Sequence, residues 1–337
     1  MQRLRRWTPF VLLLSLCFPT LGQDPTFKTQ SRLVVVPVTV AEKKGGERIW
    51  DLQQNDFTLL DNGQERKIVV EPWGTYESRA SLVVVVETSL LAQAAILKIR
   101  KIASSLDNIT GESGEVAVVT ADSHVRTLLD FTKAWEPLQE TFENLAASGE
   151  KPGRVLDAID TAVAMLSNKP QGQRRLILLF CEGHDRGSFS KSLDVLTHAE
   201  QQNVVIYTAS FSAFLTPFTT KGTELDHNPE GRADYYLGPV FKELDLAMSE
   251  NIGKTLADYT GGRQLGFVTQ RRLESDLEEL GKEIHSQYQI SFAPPSDQKP
   301  VYHEISIKVK NHWDAIIRAR PGYWIGATPV EQPDKPK

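Results

Sequence analysis

Two rhythms of hydrophobic and polar positions divide this chain. From Ser81 onward, short, largely apolar runs alternate with longer stretches whose apolar residues recur every three or four positions. Leu82–Val86, Glu115–Thr120, Arg175–Phe180, Val204–Ser210 and Leu265–Val268 are of the first kind. A strand buried on both faces reads this way, because neither face meets water. Ala92–Leu106, Trp135–Leu145, Val155–Leu166, Ser190–Gln202, Phe241–Tyr259 and Arg271–Gln287 are of the second kind and predict helices. Val125–Leu129 adds a strand, joined to the one before it by a turn at Asp122-Ser123. Strands alternating with helices predict the α/β class: an open, mostly parallel sheet with helices on both faces.

The ends of the chain keep a different pattern. Leu33–Val40 is β-branched and apolar, with Pro37 inside. Proline brings no ladder donor, so this segment reads as an edge or bulged strand. Asp56–Leu60 and Arg66–Glu71 flank Asp61-Asn62-Gly63, a hairpin signal. Tyr288–Phe292, His303–Val309 and Ala315–Ala319 read as strands near the other end. Two separate β-modules of this size would each have a thin core. The expectation is therefore a smaller all-β domain built from both ends, with the α/β domain inserted in it. The boundaries follow as 23–78, 79–287 and 288–325, with the polar, proline-rich residues 326–337 expected to be disordered. Ser212–Gly238 lacks any period, and loops of that length are usually functional or mobile.

Composition changes the picture little. The net charge of −5 disfavours nucleic acid as a partner. The first 22 residues matter more. Arg3, Arg5 and Arg6, the short apolar run Phe10–Phe18 and the small residues Thr20 and Gly22 make a secretory signal pattern with a cut before Gln23. The run is too short to span a bilayer. An exported chain follows, periplasmic or extracellular, with no membrane span in its mature part; an uncleaved anchor is the alternative. Cleavage leaves Cys181 as the single cysteine, so no internal disulfide forms. Its place after Leu176–Phe180 reads as a buried small hydrophobe, with a reactive thiol as the alternative.

Several short motifs occur in a fixed order. Asp56-Phe57-Thr58-Leu59-Leu60-Asp61-Asn62-Gly63 comes first, then Glu87-Thr88-Ser89-Leu90-Leu91 after a buried strand, then Leu156-Asp157-Ala158. Arg174-Arg175-Leu176-Ile177 leads to Glu182-Gly183-His184-Asp185. Thr260-Gly261-Gly262, Gln287-Tyr288-Gln289-Ile290 and Arg320-Pro321-Gly322-Tyr323 complete the series. In this order the chain resembles the von Willebrand factor type A family over about residues 79–287. It is similar in particular to the exported type A-related proteins of acidobacteria over nearly all of the mature part.

The resemblance implies a site. The family holds a hard cation through a D-x-S-x-S loop, a threonine and a second aspartate, and the open position takes a partner's carboxylate. Carried over by residue, the candidates for a divalent cation are Glu87, Ser89 and Glu182. The pattern departs at four places: Glu87 and Glu182 replace aspartates, Leu91 replaces a serine, and Gly153 falls at the threonine. The favoured expectation is a site without a cofactor, in which Glu87 and Glu182 are solvated or balanced by Arg154 or Arg186. Asp157 is expected to cap or satisfy backbone donors, Asp185 to shape its loop, and Ser188 or Ser190 to cap the following helix.

No G-x-S-x-G, H-E-x-x-H or C-x-x-C occurs. The reading is a noncatalytic protein-binding module, of adhesion or scaffold type, with a degenerate metal site. Its expected partner face comprises Thr88, Arg154, Asp185, Arg186 and, in the long loop, Phe214, Phe218, Tyr235 and Tyr236. The alternative is metal-dependent adhesion through Glu87, Ser89 and Glu182. A hydrolase using Cys181 or the pair Glu87 and Glu182 ranks last.

Overall fold

The computed structural model describes residues 33–71, 79–111, 113–148, 153–170, 173–211, 238–295, 301–312 and 314–325. The N-terminal segment expected to be a signal, the loop with Phe214, Phe218, Tyr235 and Tyr236, and the final tail lie outside these residues. Four strands come first: Val34–Ala41 (β1), Phe57–Asp61 (β2), Gln64–Glu65 (β3) and Ile68–Glu71 (β4). Then come Ala80–Glu87 (β5), Gln93–Ile99 (α1), Asp107–Thr110 (α2), Glu115–Ala121 (β6), Val125–Thr132 (β7), Trp135–Glu143 (α3) and Val155–Ser167 (α4). Arg174–Cys181 (β8), Ser192–Gln201 (α5), Val204–Ser210 (β9), Gly238–Glu250 (α6), Ile252–Thr260 (α7), Gln264–Gly266 (β10) and Gln270–Ile284 (α8) follow. The last strands are Tyr288–Phe292 (β11), Val301–Val309 (β12), Ile316–Arg318 (β13) and Gly322–Ile325 (β14).

The middle of the chain forms a six-stranded sheet in the order β10-β9-β8-β5-β6-β7. All neighbours are parallel except β7, which runs antiparallel to β6 at the edge. The apolar runs explain themselves in this setting. Leu82, Val84 and Val86 of β5 enter one core with α1, α2, α3 and α8. Val83 and Val85 enter the other, with α4, α5, α6 and α7. Every residue of β5 is buried. Each fully buried Val or Leu contributes about 1.5–3 kcal/mol.

The two ends of the chain build two antiparallel sheets, β13-β1-β11-β4 and β14-β12-β2-β3, around a shared core. β1 pairs with β11 and β13, and β2 pairs with β12, so strands from either side of the α/β region interleave. Pro37 is not on an edge strand, because β1 lies between β11 and β13. Its other neighbour, β13, begins pairing only at Thr39, so β1 is open on that side at Pro37. The hairpin turn is left-handed at both central positions, with φ 48° at Asn62 and 78° at Gly63, the geometry that Asn-Gly favours.

Two predicted helices are broken. Ala92–Leu106 becomes α1 and a 3-10 turn at Ala103–Ser105, while the periodic Ala95, Ile96, Ile99, Ile102, Ala103 and Leu106 all stay buried. Phe241–Tyr259 divides at Asn251, whose extended backbone ends α6 and whose side chain accepts the Lys254 N–H at 2.8 Å to cap α7. Thr260-Gly261 ends α7 with Gly261 left-handed at φ 87°. Among the described residues, no helix is long and apolar enough to cross a membrane.

Candidate functional site

From β5 the chain moves one way to β6 and β7, then returns to the other side of β5 for β8, β9 and β10. Its direction reverses between β5 and β8. In open α/β sheets, the crevice outside the carboxyl ends of the strands at such a reversal is where ligands bind. β5 ends at Glu87 and β8 at Cys181, so Glu87 and Glu182 stand on either side of that crevice.

Backbone hydrogen bonds bind the surrounding loops to one another. The Thr88 N–H donates to Ala121 O (2.8 Å), and the Thr88 carbonyl accepts from the Ser148 N–H (2.8 Å). The Arg154 N–H donates to Asp122 O, the Arg186 N–H to Gly153 O (3.2 Å) and the Ile252 N–H to Gly183 O. The loops after β5, β6 and β8, the residues leading into α4, and the start of α7 are thus tied together.

Glu87 lies at the centre. It is only 1 % exposed, so it is not solvated as expected, and it has no ion-pair partner within bonding distance among the described residues. The Ser89 hydroxyl donates to its Oε1 at 2.7 Å, and the Glu182 N–H donates to its Oε2 at 2.9 Å. Burial pushes its pKa up, partly offset by those two donors. Gly153 sits against it: a Cβ there would stand 2.8 Å from Glu87 Oε1 and 3.1 Å from Cδ. The longer carboxylate fills the space that a side chain at position 153 would need.

The Glu182 carboxylate pairs with Nη1 of Arg186, which in turn raises the guanidinium pKa. Arg154, the other arginine expected to balance the two carboxylates, does not reach them. Its guanidinium binds Asp157 (Nε 2.7 Å) and lies 4.4 Å from the centre of the Phe189 ring. The α4 helix begins one residue later, and the backbone of Arg154 is already held by Asp122.

The remaining candidates are structural. Asp157 accepts the Phe189 and Ser190 N–H groups, so it organises the neighbouring loop. Burial raises its pKa, but these donors, the Ser190 hydroxyl and Arg154 together leave it below the usual value. Asp185 accepts from the Leu156 N–H at the start of α4 and from Ser188, and it shapes its loop. Neither Ser188 nor Ser190 caps α5, which starts at Ser192 after Lys191 and has no side-chain cap. Thr88, placed on the partner face by sequence, is buried and has no side chain to offer. Cys181 is fully buried, and burial raises its thiol far above the usual range, the opposite of an activated nucleophile.

These groups do not fit a divalent cation. Both Glu87 oxygens and the Ser89 hydroxyl are used within the protein, and Glu182 is held by Arg186. Leu91 and Gly153 have no side-chain oxygen. A cation such as Mg²⁺ requires near-octahedral oxygen ligands.

Two exposed apolar residues stand at this edge: Leu90 lies within the segment Glu87–Leu91 that the sequence places on the recognition face, whereas Phe189 falls one residue beyond the segment Glu182–Ser188 and is missed. Phe189 is 85 % exposed and Leu90 43 % exposed, and they flank the crevice in the loops after β8 and β5. The signal for Phe189 is present in the sequence: it is a bulky apolar residue between Ser188 and Ser190 in a polar loop.

No family model matches this chain, and no curated protein matches it. Solved structures do. An aerotolerance-related membrane protein from Bacteroides fragilis is 16 % identical, with a TM-score of 0.42, over 60 % of this chain and 99 % of its own. The SpRpn10 VWA domain is 12 % identical, with a TM-score of 0.37, over 59 % and 93 %. Proximal thread matrix protein 1 from the mussel byssus, with a zinc-occupied MIDAS motif, is 11 % identical, with a TM-score of 0.43, over 68 % and 50 %. The likeness is one of fold alone. In the order of its motifs and the arrangement of its sheet, the α/β unit is von Willebrand type A-like.

Proposed function

We propose that this chain is an exported, noncatalytic protein-binding module, of adhesion or scaffold type. It grips its partner with the loops outside the carboxyl ends of β5 and β8. The observation that carries the reading is the exposed Phe189 on that edge. It is an aromatic ring held in place by the Arg154 guanidinium and by two backbone bonds to Asp157. Aromatic residues and arginine are enriched at protein interfaces relative to the rest of the surface. The surrounding loops are tied together by backbone bonds, so the surface is preformed and binding costs little ordering.

Catalysis has little support at the same place. The thiol is buried, and the hydroxyl of Ser89 serves Glu87. The test is a photo-crosslinker placed at position 189, with Val69 in the all-β domain as the exposed control site. Labelling in the native envelope should yield a discrete partner from position 189 and none from position 69, and a Leu90→Ala change should weaken it. Equal labelling at both sites, or none at 189, argues against the reading.

A further inference from the structure

The edge carries its own positive charge. Arg186 is held at both ends: its N–H binds the Gly153 carbonyl, and its Nη1 binds Glu182. The same guanidinium acts favourably on Glu87 across the crevice. Its side chain is 37 % exposed, and its Nε and Nη2 have no partner among the described residues. Arg154 cannot substitute, because Asp157 and the Phe189 ring hold it. Gly153 contributes only its carbonyl, and the space beside it belongs to Glu87.

We propose that Arg186 is the resident cation of this edge and that it makes a bound metal ion unnecessary there. A guanidinium is charged at every pH the protein meets, presents its donors in a rigid plane, and, being covalently attached, is never lost to dilution. The Glu182 N–H bonds Glu87 Oε2 at 2.9 Å, which keeps the two acidic residues in one loop system. The charge of Glu182 acts against ionisation of Glu87, and the Arg186 guanidinium paired with Glu182 works against that repulsion. The oxygen atoms that a metal would need are spent on this arrangement. Binding at this edge therefore proceeds without any divalent cation, a point that rests on the binding reading above.

The first arm of the test needs no partner. Arg186→Ala should lower Tm by several degrees. Low-millimolar guanidinium should restore part of the loss, urea of the same shape but no charge should restore none, and the wild type should respond to neither. Arg186→Lys should keep most of the stability. An Arg186→Ala protein as stable as wild type, or one rescued equally by urea, overturns the proposal. If Arg186→Ala does not fold, the cycle of Glu182→Gln, Arg186→Gln and the double change replaces it; strictly additive effects overturn the proposal. In the second arm, calorimetry of the wild type with Mg²⁺, Mn²⁺ and Ca²⁺ should show no binding heat, and specific heat with any of them overturns it. In the third arm, EDTA should leave the crosslink from position 189 unchanged, and its loss in EDTA overturns metal-free binding. Absence of that crosslink even without EDTA counts against the binding reading alone, and the first two arms still decide the role of Arg186.

Discussion

At the scale of single residues, the crevice is decided by one methylene. Glutamate at position 87 reaches further than aspartate, and its oxygen occupies the place of a side chain at position 153. The two positions should therefore be energetically coupled. Gly153→Ala should cost about 1–3 kcal/mol, the usual range for overpacking, and Glu87→Asp should remove much of that cost by retracting the carboxylate. Urea denaturation of both single variants and the double variant measures the coupling. A coupling below about 0.5 kcal/mol, the ordinary limit of additivity, would show that the close approach does not matter. Only part of this was legible in the sequence. The residue types at 87, 89, 91, 153 and 182 could be read, and with them the missing hydroxyls. The direction each side chain takes could not. Arg154 and Arg186 are both basic residues on neighbouring loops, and only the fold sends one to Asp157 and the other to Glu182.

At the scale of elements, hydrophobic period identified which residues are buried better than it identified where helices end. The apolar positions of Ala92–Leu106 are all buried although the helix is not continuous, because a 3-10 turn keeps the same face inward. The break at Asn251 had a local signal, an asparagine three residues before the amide it caps. A continuous period on both sides masked it. The break also has a use: it frees the Ile252 N–H to hold the Gly183 carbonyl in the loop after β8. Asn251→Ala should cost about 1 kcal/mol, the typical value of a lost N-cap. Hydrogen exchange should quicken at the Lys254 and Ile252 amides, and the loop carrying Arg186 should loosen with them. Unchanged exchange at Ile252 would separate the cap from the loop. The sheet itself was readable because a strand covered on both faces leaves an unbroken apolar run. The pairing of strands across more than 200 positions of sequence, such as Val36 with Ile290, is set by the closing of the chain and has no local signal.

At the scale of the whole molecule, the contact between the α/β unit and the all-β sheets is unexpectedly polar. Glu200 of α5 is buried against β14, where its Oε2 accepts the Trp324 N–H at 3.1 Å. Arg320, just before β14, is buried beside it, and Tyr302, Tyr259 and Trp324 close the cluster. Oε1 of Glu200 and Nε of Arg320 have no hydrogen-bond partner among the described residues. Burial costs both groups more than their attraction returns. It pushes the Glu200 carboxyl up to about 8 against the pull of Arg320, and it lowers the Arg320 guanidinium. The sign of the pH dependence follows from the raised carboxyl. Between the ordinary value of 4.5 and about 8, the folded chain holds a proton at Glu200 that the unfolded chain has released. Stability from this group is therefore fully present below pH 4.5 and falls as pH rises through the interval to about 8. The loss is on the order of a few kcal/mol, since each tenfold change in proton affinity is worth about 1.4 kcal/mol and the value of about 8 already includes the pull of Arg320. Glu200→Gln keeps the shape and the acceptor for the Trp324 amide but cannot ionise. Its urea midpoint should fall distinctly less from pH 5 to pH 8.5 than the wild-type midpoint, the remaining fall coming from other raised carboxyls such as Glu87. Parallel pH profiles for the two proteins would mean that Glu200 is already ionised and paired with Arg320 across the whole range. The polar contact between the sheets would then be a permanent ion pair with no proton in it.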